Sequence, residues 1–119
     1  MNILLVDDDA FLRDMYATKF VESGHKVDAA KNGEEALKLL KNGTFDVVLL
    51  DMVMPGMTGL QFLGEATKDA KNAKTKFVVL SNQGEEKDKE AARKAGAVGY
   101  VIKAESIPSD VVKKVEAMK

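Results

Sequence analysis

Four acidic residues stand where apolar runs stop: Ile3-Leu4-Leu5-Val6 gives way to Asp7-Asp8-Asp9, and Val47-Val48-Leu49-Leu50 ends at Asp51. Two further apolar runs end in Ser81 and Lys103. Carboxylates brought together repel, and two unit charges about 4 Å apart cost a few kcal/mol at the effective dielectric of a protein surface. A cation relieves that repulsion. The chain has no cysteine and a single histidine, so the donors are oxygens. An open, partly hydrated carboxylate site suits Mg²⁺, with Mn²⁺ as its substitute, better than a full calcium cage.

Convergence depends on the elements behind these residues. Short Val/Ile/Leu-rich runs without polar alternation read as strands buried on both faces, typical of parallel sheets covered by helices. In open α/β sheets the ligand crevice lies beyond the carboxyl ends of the strands, where Asp7, Asp8 and Asp51 would meet. Five strands are expected: Ile3 to Val6, Lys26 to Ala30, Phe45 to Leu50, Lys76 to Leu80 and Val98 to Ile102. Ser81 and Lys103 then follow the fourth and fifth strands on the same edge.

Helix patterns fill the intervals. The first covers Ala10 to Ser23, with Phe11, Leu12, Met15, Tyr16 and Phe20 at helical spacing and Gly24 as its stop. Asn32-Gly33-Glu34-Glu35 reads as a helix start, with a capping Asn, acids at the positive end, and Ala36, Leu37 and Leu40 facing inward before Asn42-Gly43. Pro55-Gly56 marks a turn, after which Leu60, Leu63 and Ala66 outline a third helix. Glu85 to Ala95 has only Ala91, Ala92 and Ala95 to bury and is expected to be loosely anchored. Ser106 is expected to cap the last helix, with Pro108 in its first turn and Val111, Val112, Val115 and Met118 buried. Strand and helix alternate five times, which predicts a doubly wound α/β domain over residues 1–119.

Composition bounds the function. The 119 residues, 45% hydrophobic and 31% charged, suit one globular domain. Eighteen basic against nineteen acidic residues leave a net charge of -1, which removes the electrostatic argument for direct nucleic-acid binding. No apolar run approaches the roughly 20 residues of a membrane span, and no signal-like segment opens the chain, so a soluble cytoplasmic protein is expected. Helix capping explains one of Asp7 to Asp9, but not Asp51, which precedes a Pro-Gly loop. Met52, Met54 and Met57 read as packing filler, and His25 as a solvated loop residue.

Taken together, Val6-Asp7-Asp8, Leu50-Asp51, Met54-Pro55-Gly56-Met57-Thr58-Gly59, Ser81 and Gly99-Tyr100-Val101-Ile102-Lys103 resemble the receiver domain of bacterial two-component response regulators. Five elements in that order and spacing span the whole chain. The resemblance implies a flavodoxin-like, CheY-like (βα)5 domain with sheet order 2-1-3-4-5. It implies that Asp51 is the phosphoacceptor, served by a sensor histidine kinase, a phosphotransfer protein or a small phosphodonor. Asp8 would ligate Mg²⁺ directly, Asp7 mainly through water, and Val53 through its backbone carbonyl, with Asp9 outside the site. Ser81 and Lys103 would bond phosphoryl oxygens while Tyr100 rotates inward, so that the fourth helix, fifth strand and fifth helix present a changed face to a downstream protein. The expected state is a monomer or a phosphorylation-dependent dimer, and the chain a switch rather than an enzyme acting on a separate substrate.

The chain also departs from that pattern. Ala104 follows Lys103 where most receivers have proline, so a trans peptide and an altered path for Glu105 and Ser106 are expected. Asn82 replaces a small residue beside the phosphoryl entry. The apolar side chain of Val53, which with Gln83 flanks the path of hydrolytic water, implies slow self-dephosphorylation. Two other readings compete: a small Mg²⁺-dependent phosphatase or phosphotransferase of haloacid dehalogenase type, because Asp7 and Asp9 form an Asp-x-Asp pattern, and a receiver-like module that binds partners without phosphate.

Overall fold

The two acid-tipped runs become neighbouring strands because neither has a polar face to leave in water. In the computed structural model, which describes residues 1–118, they are β1 (Asn2–Val6) and β3 (Val47–Leu50), buried throughout except at Asn2. Between and after them run α1 (Ala10–Glu22), β2 (Lys26–Ala30), α2 (Gly33–Asn42), α3 (Gly59–Lys68), β4 (Lys76–Ser81), α4 (Glu86–Lys94), β5 (Ala97–Ile102) and α5 (Pro108–Glu116). All strand pairs are parallel, in the order β2-β1-β3-β4-β5. The expected doubly wound α/β fold, flavodoxin-like with order 2-1-3-4-5, is the observed one.

Period-2 side-chain alternation divides the core into two layers. Leu4, Val6, Val48, Leu50, Phe77 and Val79 pack with Ala36 and Leu40 of α2, Phe62 and Leu63 of α3 and Ala92 of α4. Ile3, Leu5, Val47, Leu49, Val78 and Leu80 pack with Tyr16 and Phe20 of α1 and Val111 and Val115 of α5. Each such burial contributes about 1.5–3 kcal/mol, so the central strands carry much of the fold's stability. Register then sets the site: Val6 pairs with Leu50, and the Asp51 N–H donates to the Val6 carbonyl at 3.3 Å. Asp7 and Asp51, each one residue further, leave the sheet side by side.

Local signals account for most of the boundaries. Asp9 accepts from Leu12 N at 3.1 Å and is the acid that caps α1. Asn32 caps α2 by accepting from Glu35 N at 2.8 Å. Gly56 takes the left-handed φ of +79° that the Pro-Gly turn requires. A capping box closes the start of α3: Gln61 N donates to Thr58 Oγ1 at 3.2 Å, and Thr58 N to Gln61 Oε1 at 2.9 Å. α4 has no side-chain cap and buries only Ala92, as its polar sequence suggests.

Five expectations are corrected. Phe11 is 75% exposed, because the buried side of α1 runs through Tyr16 and Phe20 and the Phe11 position lies off it. The stripe of α3 is Gly59, Phe62, Leu63 and Ala66, which turns Leu60 toward solvent. Val98 is 59% exposed because it is the extra residue where pairing shifts from Phe77–Ala97 to Val78–Gly99. Ser106 does not cap α5: Pro108 fixes the first helical position, so Ile107 precedes it, and the Ser106 hydroxyl accepts from Lys114 Nζ at 3.0 Å. His25 is not a solvated loop residue. Its side chain is 8% exposed, its Nδ1 lies 3.0 Å from the Met1 amine and its Nε2 2.8 Å from Glu116 Oε2, which ties α5 to the start of β2.

Gly59 sets the approach of α3 to the acidic edge. A Cβ there would lie 2.6 Å from the Asp51 carbonyl oxygen and 2.7 Å from Met52 Cα, both backbone atoms with no room to yield. Gly59→Ala is expected to lower stability in urea unfolding by about 1–3 kcal/mol. Gly64→Ala, in open space on the same helix, should instead raise it by up to about 1 kcal/mol.

Candidate functional site

The carboxyl ends of β1, β3, β4 and β5 bring five of the chemistry-bearing residues together. Asp7 is 1% exposed, Ser81 1% and Asp51 9%, while Asp8 lies on the surface. One carboxylate oxygen from each of Asp7, Asp8 and Asp51 falls within a 4.8 Å cluster. Asp9 is outside it, occupied with its helix cap, which removes the second acid of an Asp-x-Asp phosphatase motif.

Lys103 is the cation of the site. Its ammonium donates to Asp7 Oδ2 at 2.7 Å and to Asp51 Oδ2 at 2.8 Å, with 7% of its side chain exposed. Burial alone would depress its pKa; the hydrogen bonds to Asp51 and Asp7, and their charges, outweigh that and hold it above the ordinary lysine range. The Asp51 carboxylate is equally engaged on its other side. Oδ1 accepts from Ser81 Oγ at 2.8 Å and from Val53 N at 3.1 Å. Asp7 Oδ1 accepts from Asp9 N at 3.0 Å, so both of its oxygens are held. The Asp8 carboxylate accepts no hydrogen bond among the described residues.

This donor set fits a hard divalent cation. Three carboxylates and one ammonium leave a local charge of about -2, all donors are oxygen, and Asp8 projects into solvent with its lone pairs free. Asp7, Asp8 and Asp51 are the side chains placed to hold such an ion.

Tyr100 is not among the converging residues. It is half-buried, and its hydroxyl donates to the Gln83 carbonyl; burial, with the nearby Asp88 charge, raises its pKa. The Gln83 N–H in turn donates to Ser81 Oγ at 3.3 Å. Tyr100 is therefore linked to Asp51 through Gln83 and Ser81, a connection that main-chain hydrogen bonds make and side-chain spacing could not announce. Val53 directs its N–H to Asp51 while the residue is 57% exposed. No cis peptide is present among the described residues, so the bond after Lys103 is trans as expected, and Lys103–Glu105 forms a short 3₁₀ turn. Ala104 does not shorten the reach of Lys103.

Comparison with known proteins agrees with this geometry. The family model of the response regulator receiver domain matches residues 3–116. The chain belongs to that family. It is 36% identical over 103 residues to the two-component response regulator PhoP of Pseudomonas aeruginosa, covering 87% of this chain and 45% of PhoP. Protein PilH of the same organism is 34% identical over 102 residues, covering 86% of this chain and 84% of PilH. The transcriptional regulatory protein ResD of Bacillus subtilis is 32% identical over 117 residues. This receiver chain thus spans just under half the length of PhoP and ResD, at 45% and 47%. Among solved structures, chemotaxis protein CheY4 of Vibrio cholerae superposes with a TM-score of 0.94 at 27% identity, covering 99% of this chain and 98% of that one. Response regulator TrrA of Thermotoga maritima, solved in complex with Mg²⁺–BeF, gives a TM-score of 0.85 at 34% identity, covering 99% and 98%. Receiver domains of this family are signalling modules of two-component systems, and no described helix of this one is long and apolar enough to cross a membrane.

The raised pKa values predict alkaline sensitivity. The folded state holds the Lys103 proton more tightly than the unfolded chain, and the pKa of Tyr16, 2% exposed, is likewise raised by burial. Stability from both groups is complete below the ordinary values of about 10 and is lost as pH rises through the folded ones. Urea unfolding is expected to show falling stability above about pH 10, with a shallower fall in Tyr16→Phe.

Proposed function

We propose that residues 1–119 form a receiver domain that accepts a phosphoryl group on Asp51 in the presence of Mg²⁺ and thereby changes the surface of α4, β5 and α5. The observation that carries this reading is the pinning of the Asp51 carboxylate between Lys103 on one oxygen and Ser81 and Val53 on the other. A carboxylate with no structural duty would be costly to bury at a sheet edge; one held ready for in-line attack has its orientation fixed in advance.

In the proposed step an Asp51 oxygen attacks phosphorus and forms the new P–O bond. The bond from phosphorus to the imidazole of a phosphohistidine, or to the carboxylate of a small acyl phosphate, breaks with its electron pair on the leaving group. Mg²⁺ or Mn²⁺ would neutralise charge on the transferring oxygens, held by Asp8 and Asp51, by Asp7 through water, and by the Val53 carbonyl. Lys103 and Ser81 turn from Asp51 to the phosphoryl oxygens. Replacing one carboxylate charge by roughly two on the phosphoryl also weakens the hold of Asp7 on Lys103.

The readout follows the hydrogen bonds already present. Withdrawal of the Ser81 hydroxyl toward the phosphoryl pulls on Gln83, and through its carbonyl on Tyr100. Next to Tyr100, α4 is fixed by little more than Ala92, so its displacement costs little. Partners under this reading are a sensor histidine kinase or phosphotransfer protein upstream and a protein that reads the α4-β5-α5 face downstream.

Incubation with acetyl phosphate and Mg²⁺, followed by intact mass, is expected to add one phosphoryl group to the wild type and none to Asp51→Ala. Addition to Asp51→Ala, or none to the wild type, would remove the proposal. Because Val53 offers no polar side chain to orient water, the phosphorylated protein should decay slowly and Val53→Asn should accelerate it; decay within seconds, unchanged in that variant, would contradict this.

A further inference from the structure

Arg13 occupies a place that helix electrostatics disfavours. It lies one turn from the capping residue of α1, where unsatisfied N–H groups make the end positive, and no acid in that first turn offsets it. Its backbone N–H donates to the Asp9 carbonyl at 2.9 Å, as an ordinary helix residue does. Its half-buried side chain folds back along the helix, and Nη1 donates to the main-chain carbonyl of Asp7 at 2.8 Å.

That carbonyl belongs to the peptide joining Asp7 to Asp8. On the near side Asp7 is fixed completely: its N–H donates to the Ala30 carbonyl at 3.1 Å, Oδ1 accepts from Asp9 and Oδ2 from Lys103. On the far side Asp8 has left the sheet, and its exposed carboxylate takes its direction from the peptides on either side of it: the next one is held by the Asp9 N–H on Asp7 Oδ1, and the Asp7–Asp8 peptide by Arg13. We infer that Arg13 is a positioning residue for the divalent cation: by clamping the Asp7–Asp8 peptide it aims the Asp8 carboxylate into the cluster with Asp7 and Asp51. The inference rests on the proposed Mg²⁺-dependent receiver reading, and it assigns Arg13 no contact with the ion or the phosphoryl.

Charge and position predict opposite signs, which makes the inference testable. Removing a guanidinium from beside a cation site would, by charge alone, tighten binding. Loss of a residue that orients a ligand weakens it, typically by a factor of ten or more. Calorimetric titration of the full chain with Mg²⁺ is expected to show roughly tenfold weaker binding for Arg13→Gln. Arg13→Lys, which keeps the charge but replaces the rigid planar guanidinium with a compact ammonium on a flexible stem, should fall between it and the wild type. At saturating Mg²⁺ the rate of labelling by acetyl phosphate should return close to the wild-type value, since the ion site and not the acceptor is disturbed.

Equal or tighter Mg²⁺ binding by Arg13→Gln would overturn the inference. Should that variant fail to fold, Arg13→Lys decides: weaker binding than the wild type supports the clamp, and equal binding overturns it. A wild type that binds Mg²⁺ yet is never phosphorylated would overturn the receiver proposal and leave the clamp standing. A phosphorylated wild type with an unaffected Arg13→Gln would do the reverse.

Discussion

A buried ammonium shared by two carboxylates is the interaction on which the rest of this molecule turns. Lys103 draws together the ends of β1, β3 and β5, strands far apart in sequence, through contacts of 2.7 and 2.8 Å to Asp7 and Asp51. Removing one member of such a buried group typically costs about 3–5 kcal/mol, because the remaining charge has neither water nor partner. The same arrangement would be a poor way simply to stabilise a sheet, since well-packed apolar residues of similar volume usually serve as well. Its value lies in leaving the cluster net negative, with Asp7 and Asp51 held and Asp8 facing solvent.

The two-layer core explains why this electrostatic strain is bearable. The sheet beneath the acids is closed on both faces by Phe20, Phe62, Phe77 and the aliphatic side chains of the central strands. The Asp7 and Asp51 backbones are continuations of that rigid sheet, and the close contact of Gly59 with the Asp51 carbonyl adds a brace from α3. The opposite character appears at α4, uncapped and with a single fully buried alanine. A stiff acidic edge next to a lightly held helix is the mechanical contrast a switch needs, because a local change of charge is relieved at little cost by moving that helix.

How much of this was legible before the structure depended on how local the determining interaction is. Strand ends, the Asn32 cap and the Pro55-Gly56 turn were readable because each is decided within a few residues. The convergence of Asp7, Asp8, Asp51, Ser81 and Lys103 was readable because parallel register forces carboxyl ends to one edge. Phe11 and Val98 were misplaced because helix phase and a bulge in β5 are settled by packing across the fold. His25 was misjudged for a similar reason: its partner Glu116 is 91 residues away, and spacing carries no trace of it. The link from Tyr100 through Gln83 to Ser81, and the grip of Arg13 on the Asp7 carbonyl, run through main-chain atoms, which every residue type possesses. Side-chain patterns cannot mark such contacts in advance.

The central claim is that Asp51, and not one of the neighbouring acids, is the covalent acceptor. Borohydride reduction of the chain after treatment with phosphoramidate and Mg²⁺, followed by peptide mass mapping, tests it directly, since an acyl phosphate is reduced to the alcohol while a free carboxylate is not. The account predicts reduction confined to Asp51. Reduction at Asp7, Asp8 or Asp9, or at no aspartate in a chain that has taken up the phosphoryl group, would contradict it.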